Sequence, residues 1–250
     1  MLYVLELKKW IRSKRLFLLC GLFIFIGFIS TIIAYYQKDI LKDLSSTNAV
    51  TIIFAKSDWK ELICSYFKSC SQIMLMVGTY MGGTSCILGN SFQIRSFYLT
   101  KTTNKNKIFI PKIIISLVCV VIGMICGDLS VLYVVHVLFN NLIWKNIILS
   151  MSVQILSFVV LIYIGIIISI CFNNAFAGAG IIELFVIVST FLQEFKKVGK
   201  WTLMELLNPQ NLISNGISNI HFYNDCVVIL IIVIVGFLLL VVIPKMKVRR

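Results

Sequence analysis

Six uninterrupted apolar stretches fill most of this 250-residue chain: Leu16 to Tyr36, Cys70 to Phe92, Ile113 to Phe139, Ile147 to Phe172, Ala175 to Leu192 and Cys226 to Ile243. A helix needs about 20 such residues to cross the hydrocarbon core of a bilayer, and each stretch approaches or exceeds that length. Inside lipid every backbone N–H and C=O must be paired within the protein. Apolar runs this long therefore form helices, whereas barrel strands would alternate in short segments. The expectation is an all-α, polytopic membrane protein with six transmembrane helices in one domain, residues 1–250. The composition agrees, with 59% apolar and only 13% charged residues.

The net charge of +13 is placed as an orientation signal and not as a nucleic-acid footprint. Lys8, Lys9, Arg12, Lys14 and Arg15 precede the first stretch, opposed only by Glu6. Arg95, Lys101, Lys105, Lys107 and Lys112 lie between the second and third with no acid beside them, and Lys245, Lys247, Arg249 and Arg250 follow the last. The other connections mix signs, as in Lys38, Asp39, Lys42 and Asp43. By the positive-inside rule both termini are expected in the cytoplasm of a cell membrane, with lipid headgroups as the first partner of the basic excess.

Residues 1–15 carry Tyr3, Leu7 and Trp10 on one helical face and Lys8, Arg12 and Arg15 on another. That pattern predicts an amphipathic interfacial helix that bends into the first span. No small-residue cleavage site follows the basic head, so the first span is expected to stay. Cys20, Cys86, Cys119, Cys126 and Cys171 fall within spans and read as small apolar residues. Cys64 and Cys70 have a spacing that suits neither zinc nor one helical face, so no disulfide is expected between them.

Residues 37–69 form a mixed-charge connection, part of it helical. The second span carries Gly78, Gly82, Gly83, Ser85 and Gly89, small residues that let other backbones come close. Residues 93–112 make a basic loop ending at Pro111, expected in the first turn of the third span, where a missing N–H costs nothing. Asn173 and Asn174 alone join the fourth span to the fifth, which makes those helices antiparallel neighbours. The run Ala175, Ala177, Gly178, Ala179 and Gly180 reads either as the start of a close-packed helix or as part of the turn. Residues 193–224, with Trp201, Leu203, Leu206, Leu207, Pro209, Leu212 and Ile213, are too apolar for a solvated linker and too interrupted for a span. A pair of short helices dipping into the outer interface fits them.

Catalytic constellations are absent from the sequence: there is no HExxH, no GxSxG and no GxxxxGK[ST] phosphate loop. Two carboxylic acids lie inside spans and are candidates because charge is costly there. Asp128 is expected to be structural, with His136 on roughly the same face. Glu183 suits a transport role and a structural one equally.

These features resemble the membrane subunits of ABC transporters of the ABC-2 type. The likeness rests on the basic start LELKKWIRSKRLFLL, the six spans, the glycine-rich second span and the loop SFQIRSFYLTKTTNKNKIFIPKI. It rests also on the interrupted segment WTLMELLNPQNLISNGI and the ending IPKMKVRR. In that family the loop after the second span often carries an acid, a Gly-Thr pair, a Pro-x-Ser-Arg turn and a lysine. Here Lys112 matches the lysine and residues 100–107 the turn region, while Gln93 stands where the acid would be and the Gly-Thr and Pro are missing.

The resemblance implies a permease subunit that pairs with a second, identical or paralogous, permease subunit and rests on a separate cytoplasmic ATPase. It implies no cofactor on this chain and no enzymatic activity of its own, ATP being bound by the partner. Arg95, Lys101, Lys105, Lys107 and Lys112 would then be the ATPase-coupling candidates, and Gly78, Gly82, Gly83, Gly178 and Gly180 the helix-packing candidates. Export of a peptide, antibiotic or lipid is the implied task. An Ile, Lys, Asn and Phe-rich composition suits an AT-rich bacterial genome and with it bacteriocin export or immunity. Two other readings compete: a secondary carrier or channel with no ATPase, which predicts internal repeats, and a membrane enzyme or scaffold, which predicts acids and histidines gathered at one depth.

Overall fold

A computed structural model describes residues 2–45, 58–87, 106–192 and 204–215, and every regular element among them is helical. Helix α1 spans Leu2–Arg12, α2 Arg15–Ser45 and α3 Trp59–Ser69; a π-helical turn, Cys70–Met74, joins α3 to α4, Leu75–Cys86. Helix α5 covers Asn106–Leu138, α6 Trp144–Phe172 and α7 Ala175–Leu192, followed by the short helices α8, Met204–Leu207, and α9, Gln210–Asn215. Among the described residues four helices are long and apolar enough to cross a membrane: Arg15–Gln37 within α2, Ile108–Leu138 within α5, and α6 and α7 entire. They correspond to the first, third, fourth and fifth expected spans. The sixth lies outside the described residues.

The expected second span is not among these four; its described part, residues 70–87, continues a helix that begins before the apolar run. Helix starts at Trp59 and not at Cys70, because Trp59, Leu62, Ile63, Tyr66 and Phe67 recur at helical spacing and are all buried. The third also starts earlier, at Asn106, so the basic loop is partly helix. Pro111 consequently lies inside α5 and not in its first turn. Its missing N–H removes the bond to the Lys107 carbonyl, a loss the second turn of a helix absorbs more easily than its middle.

The break between α1 and α2 is a two-residue elbow. Lys14 adopts the left-handed region (φ 56°), its N–H donates to the Ile11 carbonyl at 3.0 Å, and the Ser13 hydroxyl donates to the Trp10 carbonyl at 3.2 Å. These bonds close the end of α1 before α2 begins.

Helix α2 packs chiefly on α5. A Cβ placed on Gly27 would collide with Ser130 Oγ and come within 2.9 Å of the Gly127 carbonyl, and one on Gly123 would collide with Leu19. The backbones meet because there are no side chains between them. Toward the far end the seam widens enough for edge-to-face rings, Phe28 on Tyr133 at 6.4 Å and Tyr35 on Phe139 at 6.5 Å. Helix α4 sits in the middle and touches α5, α6 and α7.

The α6–α7 hairpin turns on Asn173 and Asn174 alone, and their chemistry is legible. Asn173 is left-handed (φ 53°). Its N–H donates to the Ile170 carbonyl and the Asn174 N–H to the Ser169 carbonyl at 3.1 Å, the paired bonds of a Schellman ending. The Asn174 side-chain oxygen then accepts the Phe176 N–H at 3.0 Å and caps α7. The small run from Ala175 is therefore helix and not turn.

Candidate functional site

Polar and charged side chains gather at three places in the bundle. The first is a collar where α1, the start of α2, the end of α4 and the start of α5 converge. Trp10 is only 2% exposed there, and α1 packs on both α5 and α2. Leu7 joins Trp10 against the core. Tyr3, expected on the same face, stays exposed. Arg15 Nη1 donates to Ser85 Oγ at 3.0 Å, tying the head of α2 to the tail of α4. Cys86 Sγ lies 3.6 Å from Ser116 Oγ across to α5. Lys112, sought as a surface contact, is instead buried at this junction (9% exposed), within electrostatic reach of Glu6, Lys9 and Cys86. Arg95, Lys101 and Lys105 lie outside the described residues, and Lys107 is on the first turn of α5. Beside the collar a pocket of about 440 Å³ opens between Tyr80 and Thr84 of α4 and Asn173 to Phe176 of the hairpin turn.

The second place joins α3 to α5. Tyr66 Oη donates to Asp128 Oδ1 at 2.7 Å, and both side chains are buried. His136 does not join them; it is exposed on the same helix and its ring lies 5.6 Å from that of Trp144. Asp128 thus has a structural partner from a helix far away in sequence. Asp128→Ala leaves the Tyr66 hydroxyl buried without an acceptor and is expected to cost about 1–3 kcal/mol. Asp128→Asn keeps an acceptor oxygen and is expected to cost less than about 1 kcal/mol. Thermal melting in detergent separates the two, and equal losses would show that the bond carries little.

The third place is a stripe on α6, Ser150, Gln154 and Ser157, each fully buried. Ser157 Oγ bonds the Gln154 carbonyl at 2.8 Å and approaches the Leu206 carbonyl of α8 at 3.3 Å. Ser157 lies about 22 Å along α6 from its end at Phe172, at 1.5 Å per residue. A hydrocarbon layer is about 30 Å thick. With α6 crossing such a layer, the α8–α9 segment meets it near its middle, and Leu206, Leu207, Leu212 and Ile213 are buried against the bundle. Irregular backbone is tolerated at such depth only when enclosed by protein or beside water.

The packing glycines divide. A Cβ on Gly78 would lie 3.0 Å from Ile162 Cδ1, on Gly82 2.8 Å from Ile166 Cδ1, and on Gly83 2.6 Å from Ser169 Oγ; one on Gly178 would collide with Ser169 Oγ and the Gly165 carbonyl. Among the described residues nothing lies within 4 Å of a Cβ at Gly180, so none of them packs on it. The sequence reading missed Gly27, Gly123, Gly127 and Gly165, which make approaches as close. It also missed Gln154, whose signal was available: an amide in an apolar run with serines at helical spacing on either side.

Glu183, on α7, is half-buried, and its Oε2 has no hydrogen-bond partner among the described residues. Among those residues no three His, Cys, Asp or Glu side chains cluster as metal ligands would. The described cysteines are free thiols. Burial raises the Cys64 thiol above its ordinary pKa, with Lys68 opposing and Glu61 adding to the shift. No protein family, curated protein or solved structure matches this chain.

Proposed function

We propose that the chain is the membrane-spanning permease subunit of an ATP-driven exporter, working as six spans with both termini in the bacterial cytoplasm. The observation that carries this reading is the collar. An amphipathic helix, α1, is fixed by a buried Trp10 to the ends of the helices it must move, and Arg15 is bonded to Ser85 of the central helix α4. A force applied by a cytoplasmic partner at α1 or in the basic segment 93–112 would reach α2, α4 and α5 together. Such a bundle is driven by another protein's conformational change, in which the partner's two states bias two packings of the spans. The absence of any phosphate-binding loop from the sequence agrees with nucleotide chemistry on a separate ATPase.

In this arrangement Arg95, Lys101, Lys105 and Lys107 meet the ATPase, Lys112 holds the elbow from beneath, and a second permease subunit completes the pathway. Affinity purification of the tagged chain from its native membrane in mild detergent tests it. A soluble ATPase is expected in near-stoichiometric amount and is expected to be lost when these four cations are changed to alanine. Recovery of the chain alone would sink the proposal. It would favour a self-sufficient carrier, for which the buried, unpaired Oε2 of Glu183 would be the first group to test.

A further inference from the structure

The stripe on α6 contains an anomaly that packing does not resolve. Gln154 is fully buried, yet neither its side-chain oxygen nor its nitrogen has a partner among the described residues. Buried amides are normally paired, and each exception calls for a cause. A second orphan lies in the turn between the two re-entrant helices: Asn208 Oδ1 is buried and unpaired as well. The two belong to one neighbourhood. Ser157, on the same face of α6 as Gln154, reaches the Leu206 carbonyl, two residues before Asn208. Among the described residues α8 is held there by that long hydrogen bond, by the leucines around it and by packing on α6 and α7.

We infer that Gln154 and Asn208 form an uncharged amide-recognition site for a peptide-class substrate, covered in this structure by α8 and exposed when α8 lifts from Ser157. A carboxamide offers donors and an acceptor in one plane, the complement of a peptide group. A fatty acyl chain would leave all three orphaned atoms unsatisfied, at a desolvation cost each time. The residues that surround the stripe, Ile147, Met151, Phe158, Leu206 and Leu207, are apolar. A charged headgroup would find no counter-ion among them, whereas an apolar peptide with a polar backbone suits both the walls and the amides. The inference rests on the export reading for its substrate class.

The test uses the full chain in lipid nanodiscs and a panel of end-blocked, dye-labelled apolar nonapeptides, read by fluorescence anisotropy. Backbone N-methylated versions and a dye-labelled lysophospholipid serve as competitors. Gln154→Met, close in shape and without polar atoms, is expected to weaken peptide binding at least about tenfold while leaving the melting temperature unchanged or raised, since it removes an unpaired buried group. N-methylation of the peptide is expected to weaken binding similarly, and the lysophospholipid is expected not to compete. The inference is overturned if no peptide binds, if Gln154→Met binds as tightly as the wild type, in which case the amide holds only water, or if the substitution lowers the melting temperature without changing binding. The two proposals fail separately. ATPase recovery from native membranes should be indifferent to Gln154→Met, so its loss in the unaltered chain counts against export alone, and Gln154-independent binding counts against the site alone.

Discussion

Gly178→Leu is expected to leave little or no folded protein in the membrane, whereas Gly180→Leu accumulates at the wild-type level. The two glycines lie in one apolar run, on one helix, with the same intrinsic preference. What differs is the neighbour: even a Cβ at Gly178 would run into Ser169 Oγ and the Gly165 carbonyl, while at Gly180 no described residue lies within 4 Å. A flexible side chain could yield, but the Gly165 carbonyl belongs to the backbone of α6 and cannot. Overpacking by one or two methylenes costs about 1–3 kcal/mol, and a whole isobutyl group against backbone costs more, against a total stability of about 5–15 kcal/mol for ordinary domains. Fluorescence-detected gel filtration and melting in detergent read the difference. Equal behaviour of the two variants would mean that α6 and α7 are not packed as described.

Trp10→Ala has the next largest expected effect, and it acts on a different property. Removing a buried tryptophan typically costs about 3–5 kcal/mol. Here the loss falls mainly on the docking of α1, since of its other aliphatic residues only Leu7 joins Trp10 against the core, while Leu2, Val4, Leu5 and Ile11 are exposed. The spans should still insert, because their apolar length is untouched. A freed α1 should become open to protease in inside-out vesicles, and on the proposed function recovery of an ATPase partner should fall more than about tenfold. Leu5→Ala, on the exposed side, should do neither. Loss of ATPase recovery in both variants would place the effect in lipid contact and not in the collar.

Four of the expected spans, the elbow, the two-residue turn and the pair of short helices were legible in the sequence, because each depends on local length or local hydrogen bonding. Asn173 and Asn174 show this well: one asparagine tolerates the left-handed backbone and the next caps the following helix. The site was much less legible. Tyr66 and Asp128 meet across 62 positions, and no periodicity on either helix announces the other. Lys112 looks like the basic residues around it until α1 covers it. Among the glycines sequence showed which could pack, but only the rotation of each helix decided which did, so Gly180 was included and Gly27 and Gly165 were passed over.

The π-helical turn at Cys70–Met74 has a consequence for how this protein tolerates insertion and deletion. The Leu75 N–H reaches back five residues to the Cys70 carbonyl, so the turn houses one residue more than an α-helix would. Each residue in an α-helix rotates the chain by about 100°. A relative that had lost one residue from this turn could close it as ordinary α-helix with α3 and α4 in nearly the same rotation, whereas a loss from the α-helical stretch on either side would swing α3 by about 100° against α4. Tyr66 would then face away from Asp128 while the glycines of α4 stayed in place. Between Tyr66 and Gly78 a single-codon deletion inside the turn is thus expected to be absorbed far better than one on either side of it.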